Sequence, residues 1–120
     1  QLDLMGQENA ESAGTRQLSG IGGQMDFLEG AYRSKGGKGF ICINSSRVTK
    51  DGERKSNIVA AIPSGSTISA PRTMIQYVAT EYGIADLVGK SLRERAEAMA
   101  AIAHPDFREE LMKYARENFR

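Results

Sequence analysis

The apolar residues in the middle of this chain come in short continuous runs, and those runs limit its fold more than any other feature. Phe40-Ile41-Cys42-Ile43 lies between Gly36-Gly37-Lys38-Gly39 and Asn44-Ser45-Ser46. The run from Asn57 to Ile62 is closed by Pro63-Ser64-Gly65-Ser66, and Thr67-Ile68-Ser69 follows that turn. Tyr77-Val78-Ala79-Thr80 is closed by Glu81-Tyr82-Gly83. Runs of this length between turn residues are too short for helices. They predict four strands, the first two buried, because an apolar residue at every position leaves neither face for water. The charged stretch from Arg47 to Lys55, with Asp51-Gly52 at its tip, predicts a hairpin-like link between the first two.

The remaining segments carry a helical period. Met25, Phe27, Leu28, Ala31 and Tyr32 predict a helix from Gln24 to Arg33 that starts at Gly20-Ile21-Gly22-Gly23, with Gly30 its weak spot. Ser91 and Glu94 form a capping box ahead of Leu92, Ala96, Met99 and Ala103, which share one face. His104-Pro105 interrupts the chain. Pro105 then suits the first turn of a last helix with Asp106 and Glu109 near its start and Phe107, Leu111, Ala115 and Phe119 as its apolar stripe. Leu2 and Leu4 alternate with polar neighbours as a short strand would, and Gly6 to Thr15 reads as loop. Strands interleaved with helices make the chain α/β, a sheet flanked by helices.

At 120 residues the chain is one domain, long enough to bury roughly two thirds of its unfolded surface without disulfide staples. Sixteen basic residues stand against 15 acidic ones, a net charge of +1. Such a balance argues against a nucleic-acid or membrane-surface partner, since both call for a basic excess. The longest uncharged stretch, Ser56 to Pro71, contains Pro63 and Gly65 and is no membrane span. Cys42 and His104 are the sole members of their types. One cysteine excludes an internal disulfide, the pair excludes a Cys/His zinc site, and no metal is expected. No charged and apolar leader opens the chain, so a reducing, cytoplasmic setting is the default expectation. The chain opens in apparent strand without Met, which points to a piece of a longer protein.

Among candidate chemical features, Gly20-Ile21-Gly22-Gly23 stands out. Glycines let backbone approach a ligand, and the free N–H groups of a helix start favour phosphate, carboxylate or a developing oxyanion. A plain tight turn fits the pattern equally well. The dinucleotide fingerprint fails because Met25 occupies the third glycine position. Gly83 to Ser91 imitates a phosphate-binding loop, but five residues separate Gly83 from Gly89 where that loop has four. The serines sit in no nucleophile elbow, and the one histidine lies beside a proline. Cys42, inside an apolar run, reads as a buried inert thiol. Glu81 follows a strand, where a carboxylate can line a cleft, but on pattern alone a solvated loop is the favoured reading. Lys50, Arg54 and Lys55 read as a solvated hairpin tip, and Arg93, Glu94, Arg95 and Glu97 as the wet face of a helix.

Several motifs recur in one order. They are Asp3-Leu4-Met5-Gly6-Gln7 with Asn9-Ala10-Glu11-Ser12, Ser19-Gly20-Ile21-Gly22-Gly23-Gln24-Met25-Asp26-Phe27 and Ser34-Lys35-Gly36-Gly37-Lys38. Further on come Tyr77-Val78-Ala79-Thr80-Glu81-Tyr82-Gly83, Gly89-Lys90-Ser91-Leu92-Arg93-Glu94-Arg95-Ala96 and Ala103-His104-Pro105-Asp106-Phe107-Arg108. In this order, over nearly the whole chain, they resemble the acetyl-CoA hydrolase/transferase family of CoA-transferases, in particular members acting on 4-hydroxybutyryl-, butyryl- and acetyl-CoA.

The resemblance implies that residues 1–120 are the C-terminal domain, or part of it, of a two-domain enzyme of the NagB/RpiA/CoA-transferase type. It implies ping-pong transfer of CoA between an acyl-CoA and a short-chain carboxylate through a glutamyl-CoA thioester. The nucleophilic glutamate belongs to a Glu-Met-x-x-Asp-Gly run that this chain lacks. Glu8 lies in a different motif, at a position where family members often carry valine. The 120 residues alone are therefore expected to be inactive. By motif, Gly22 and Gly23 match the glycine pair whose second member contacts CoA near the thioester, and Glu81 matches an auxiliary active-site carboxylate. Lys50 aligns with a lysine that meets CoA, although Arg47 to Lys55 departs from the family's Ser-Thr-Ala-x-Lys-Gly pattern. Coenzyme A enters as acyl-CoA substrate. The implied partners are the N-terminal domain and a second copy of the enzyme. Against this stand two other readings: a non-catalytic module that binds an anion or CoA, and an interaction domain. Whether a glutamate-bearing half is fused upstream separates them.

Overall fold

In the computed structural model, which describes residues 1–120, no sheet has more than three strands. Strand β1 (Leu2–Asp3) pairs in parallel with β7 (Ile58–Val59), and β2 (Ser12–Ala13) pairs antiparallel with β3 (Arg16–Gln17). Helix α1 (Gln24–Arg33) follows. The largest sheet has the order β4 (Phe40–Cys42), β8 (Tyr77–Thr80), β9 (Gly83–Asp86), with β4 parallel and β9 antiparallel to β8. Strands β5 (Ser46–Val48) and β6 (Arg54–Ser56) make the charged hairpin, turning at Gly52 with φ 82°. Helices α2 (Leu92–Ala101) and α3 (Pro105–Asn118) close the chain and pack on each other, and α2 also packs on β9. The result is a small α/β domain of several short sheets and three helices.

The helices begin where the capping residues require. Ser91 accepts from the Glu94 N–H, and the Glu94 carboxylate accepts from the Ser91 N–H at 2.8 Å, so two orphan donors of α2 are satisfied reciprocally. Hydrogen bonding from Ser91 holds the Glu94 carboxyl below its usual range. Pro105 fills the first turn of α3, and the His104 ring accepts from the Asp106 N–H. Ala96, Met99, Ala100, Leu111 and Ala115 turn inward and meet Leu2, Leu4, Ile58, Val78, Ala85 and Leu87 in one core.

Several expectations need correction. Only Ile58–Val59 of the run Asn57 to Ile62 is strand, because its partner β1 offers two residues and Pro63 follows soon after. Thr67 to Ser69 is not a strand. Its backbone groups are taken singly: Thr67 N–H by the Ser12 hydroxyl and Ser69 N–H by the Glu8 carbonyl. The stretch read as loop holds a hairpin, β2–β3, turning at Gly14 with φ 59°. Phe40 to Cys42 is buried on one face only. Ile41 points inward while Phe40 and Cys42 are exposed, since successive strand side chains alternate and β4 is an edge. Phe40 stacks on its register partner Tyr77 at 4.9 Å. Strand β9 was not anticipated, although Ile84, Ala85, Asp86 and Leu87 alternate out and in.

Arg95 does not belong to the wet face of α2. Its guanidinium is half-buried and donates to three backbone carbonyls, Met5 at 2.9 Å, Leu87 at 2.8 Å and Arg72 at 2.8 Å. Arg93 is exposed and pairs with Glu97 one turn on. Buried polar groups perform the same service near the N-terminus. The Asp3 carboxylate accepts from the N–H groups of Met5 and Gln7 and from the Gln7 amide. The Asn9 side-chain Oδ1 accepts from the N–H groups of Glu11 and Ser12. Glu8 is buried and accepts from the Gln24 amide at the start of α1. Burial pushes the Glu8 carboxyl above its ordinary value, with the Gln24 bond opposing.

Truncating Arg95 removes the donor from three carbonyls, of which those of Met5 and Leu87 are partly buried. Arg95→Ala is expected to cost about 2–3 kcal/mol, against no more than about 0.5 kcal/mol for Arg93→Ala, measured by urea unfolding. Glu8 yields a pH-dependent outcome. Its raised value means that folding disfavours the carboxylate. The cost is absent below the ordinary value of 4.5, grows as pH rises, and is complete above the folded value. Glu8→Gln is therefore expected to raise Tm at neutral pH and to leave it unchanged at about pH 3, where both residues are neutral.

Candidate functional site

Strands β4 and β8 run parallel in register, Phe40 with Tyr77 and Cys42 with Ala79, so they end side by side. The chain leaving β4 and the turn leaving β8 are thus forced together. Ile43 extends the pairing by donating to the Ala79 carbonyl. Beyond it, a cleft of about 480 Å³ is lined by Cys42, Ile43, Asn44, Ala79, Thr80 and Glu81. That volume lies in the range of small-ligand sites, and the position is where open α/β sheets gather functional groups, at the carboxyl ends of parallel strands.

Glu81 reaches this cleft through a tight turn. Thr80 pairs with Gly83, which makes Glu81 and Tyr82 the two central residues of the β8–β9 hairpin. Gly83 has φ 145°, a conformation that favours glycine. The Thr80 hydroxyl accepts from the Tyr82 N–H and donates to the Ile102 carbonyl ahead of α3. Tyr82 meets the His104 ring edge-on, and the Arg108 guanidinium lies over its ring at 4.9 Å. The Thr-Glu-Tyr-Gly run is therefore a hairpin turn fastened to the helical layer on one side.

On the other side Glu81 is held by Ser45. The Ser45 N–H donates to one carboxylate oxygen at 2.9 Å and its hydroxyl to the other at 2.6 Å. These bonds hold the Glu81 carboxyl below its usual range, with His104 adding a smaller favourable field. Ser45 is fully buried, whereas Glu81 as a residue is exposed. Sequence reading gives Ser45 no role in the site, although Asn44-Ser45-Ser46 marks the boundary of a strand. It also misread Cys42, which is exposed and stands in the wall of the cleft. The pleat of β4 that turns Ile41 inward turns Cys42 outward.

The glycine loop lies elsewhere on the surface. Gly22 has φ 60° while Gly23, the N-cap of α1, has φ −92°. The backbone that requires glycine is therefore Gly22. A Cβ at Gly23 would meet only the Phe27 ring at 3.8 Å and the Asp26 carboxylate at 4.0 Å, which are ordinary contacts. The N–H groups of Gly22 and Gly23 are taken by no other group of the chain, so both remain available as donors. Lys50 is exposed at the tip of the β5–β6 hairpin. Neither Gly22, Gly23 nor Lys50 lines the cleft beside Glu81. No three His, Cys, Asp or Glu side chains gather where they could share a metal ion, and no helix is long and apolar enough to cross a membrane.

Residues 1–115 match the family model described as the acetyl-CoA hydrolase/transferase C-terminal domain. The chain is 48% identical over 114 residues to a butyryl-CoA:acetate CoA-transferase of Anaerostipes caccae, covering 95% of this chain and 26% of that one. It is 48% identical over 119 residues to a 4-hydroxybutyrate coenzyme A transferase of Clostridium kluyveri, covering 99% and 27%. Among solved structures, RipA from Yersinia pestis superposes with a TM-score of 0.82 at 40% identity, over 98% of this chain and 26% of that one. The chain thus spans about a quarter of the length of these relatives. Matched over nearly its whole length in sequence and in backbone, it belongs to the acetyl-CoA hydrolase/transferase C-terminal domain family, and the two sequence relatives named above are CoA-transferases.

Proposed function

We propose that this domain is the CoA-facing C-terminal part of a two-domain CoA-transferase of the NagB/RpiA/CoA-transferase type. The reaction moves CoA from an acyl-CoA, such as 4-hydroxybutyryl-, butyryl- or acetyl-CoA, to a short-chain carboxylate. The observation that carries this reading is the fixed Glu81 carboxylate at the paired ends of β4 and β8, in a chain close to half identical to named CoA-transferases.

The chemistry fits a carboxylate nucleophile supplied by the preceding half. Its oxygen attacks the thioester carbonyl, the C–S bond breaks, and CoA leaves as a thiolate with an acyl-glutamyl anhydride left behind. The thiolate attacks the glutamyl carbonyl, the first carboxylate departs, and a glutamyl-CoA thioester remains for the acceptor acid to reverse the sequence. In this reading Glu81 orients the reacting groups. The free N–H groups at Gly22 and Gly23 receive the negative charge that develops on the thioester oxygen, and Lys50 meets the anionic body of CoA.

The surface supports a docked partner half. Helix α1 buries only Leu28 of its apolar residues. Phe27 is 82% and Tyr32 62% exposed, and Phe40 is exposed beside their helix. Phe27, Ala31 and Phe40 line one shallow depression, and contiguous exposed apolar surface of this kind is what interfaces cover. The reading takes the N-terminal half as their cover, with a second copy of the enzyme as a further partner.

Two outcomes test the function. The full-length protein is expected to exchange CoA between butyryl-CoA and acetate, and the 120-residue chain alone to show no turnover above a protein-free control; turnover by the short chain would place the nucleophile within it and sink the reading. Gly23→Pro in the full-length protein, which removes that N–H, is expected to cut kcat roughly a hundredfold, whereas Gly23→Ala, which keeps the N–H at an ordinary φ and meets only ordinary contacts, is expected to leave kcat unchanged. Gly22→Ala, at positive φ, is expected to cost about 1 kcal/mol or more. Normal kcat in a folded Gly23→Pro protein would reduce the loop to a turn.

A further inference from the structure

The Glu81 carboxylate does not hang freely in its cleft. Ser45 offers it two donors from one residue, the backbone N–H to one oxygen and the hydroxyl to the other, at 2.9 and 2.6 Å. A single bond would leave the carboxylate free to rotate about χ3. Two bonds to opposite oxygens fix its plane. Ser45 is itself immobile: it is fully buried, its carbonyl accepts from the Asn57 N–H at 2.8 Å, and Ser46, the next residue, opens β5. A hydroxyl with a carboxylate acceptor and an N–H pointed at the same group form a charge-assisted pair, which favours the anion. Each carboxylate oxygen has a second lone pair left over, and the clamp leaves these for whatever enters the cleft.

We propose that Ser45 is the positioning residue for Glu81, and that its two-point clamp fixes the carboxylate plane so that Glu81 serves CoA transfer as a hydrogen-bond acceptor and not as a proton donor. This rests on the reading of Glu81 as an active-site carboxylate. The partners around Glu81 are consistent with the acceptor role. Ser45 gives two donors from the β4–β5 link, His104 ahead of α3 adds a favourable field, and the Arg108 guanidinium is occupied by the Tyr82 ring and the Ala103 carbonyl. Cys42 from β4 lines the same cleft. No acidic group of the chain hydrogen-bonds to Glu81, so nothing within the domain shares a proton with it. The group it best receives is an N–H or O–H donor on the substrate. Acetate and butyrate offer none, whereas an acyl-CoA carries an amide N–H close to its thioester, so the thioester substrate is the ligand that such an acceptor can orient.

The sign of the pH effect follows from the direction of the shift. With the folded value below the ordinary 4.5, the ionised form is complete at neutral pH and is lost only as pH falls through that lower value. Removing the hydroxyl returns the group toward its ordinary value and moves the acid limb of activity upward.

The experiment uses the full-length protein with Ser45→Ala, Glu81→Gln and the double variant, recording kcat, KM for acyl-CoA, the pH profile and Tm on the same preparations. Ser45→Ala is expected to lower kcat/KM about tenfold or more, to shift the acid limb to higher pH, and to add almost nothing in the Glu81→Gln background. Ser45→Cys, close in shape and a weaker donor, is expected to fall between wild type and Ser45→Ala, and it carries the test should Ser45→Ala fail to fold. An impaired Glu81→Gln enzyme beside a Ser45 variant with wild-type kcat/KM and pH profile would overturn the positioning role alone. So would an equal loss from Ser45→Ala in both backgrounds, since Ser45 would then act independently of Glu81. Wild-type activity in Glu81→Gln would overturn the active-site reading itself, and the positioning role with it.

Discussion

A single guanidinium ties the N-terminal motif to the β8–β9 sheet. Arg95 projects from the first turns of α2 and takes the carbonyls of Met5, Arg72 and Leu87, which belong to the N-terminal motif, the approach to β8 and the end of β9. The domain needs such a residue because its strands are so short. Of 56 backbone hydrogen bonds, 24 lie outside helices and strands, so much of the backbone has no ladder to pair with. A buried carbonyl without a partner costs free energy comparable to a lost hydrogen bond, and side chains must supply what the sheets do not. Asp3, Asn9 and Ser69 are buried polar residues whose side chains serve the backbone in this way.

The same economy builds the site. Glu81 could not be fixed by its own hairpin alone, because a turn residue between Thr80 and Gly83 points outward. Its carboxylate is captured across 36 positions of sequence by Ser45, and the capture depends on the parallel pairing of β4 with β8 that ends both strands at one level. Residues that brace the turn, Thr80 against Ile102 and Tyr82 against His104 and Arg108, join that site to the helical layer. The packing of α2 on α3 therefore bears on the position of a carboxylate that neither helix contains.

Legibility in the sequence follows the range of the forces involved. The bounds of α1 and β8, the capping box at Ser91 and the proline start of α3 were readable because they are set by neighbours within a few residues. The second run was read as a longer strand than it is, since the length of β7 is decided by what β1 can offer. Cys42 was read as buried because its neighbours are apolar, yet alternation along an edge strand leaves it in the cleft. Arg95 was read as solvated because it sits among other charges, while its three acceptors come from elsewhere in the chain. Glu81 was legible as a candidate from its motif, and its holder Ser45 was not, because nothing local marks a serine whose partner lies 36 residues away.

What the sequence by itself determined is the alternation of short strands with three helices, the places where helices start, and membership of a family whose motifs occur in order from Asp3 to Arg108. Those properties arise from local propensity, capping and periodicity, which act over one or two turns of chain. What only the tertiary structure decided is which polar side chains are buried and whom they serve: Arg95 on three carbonyls, Glu8 on Gln24, Ser45 on Glu81. The reason is physical. A hydrogen bond forms between groups that packing has already brought within reach, and the packing of strands this short is settled by contacts far apart in sequence.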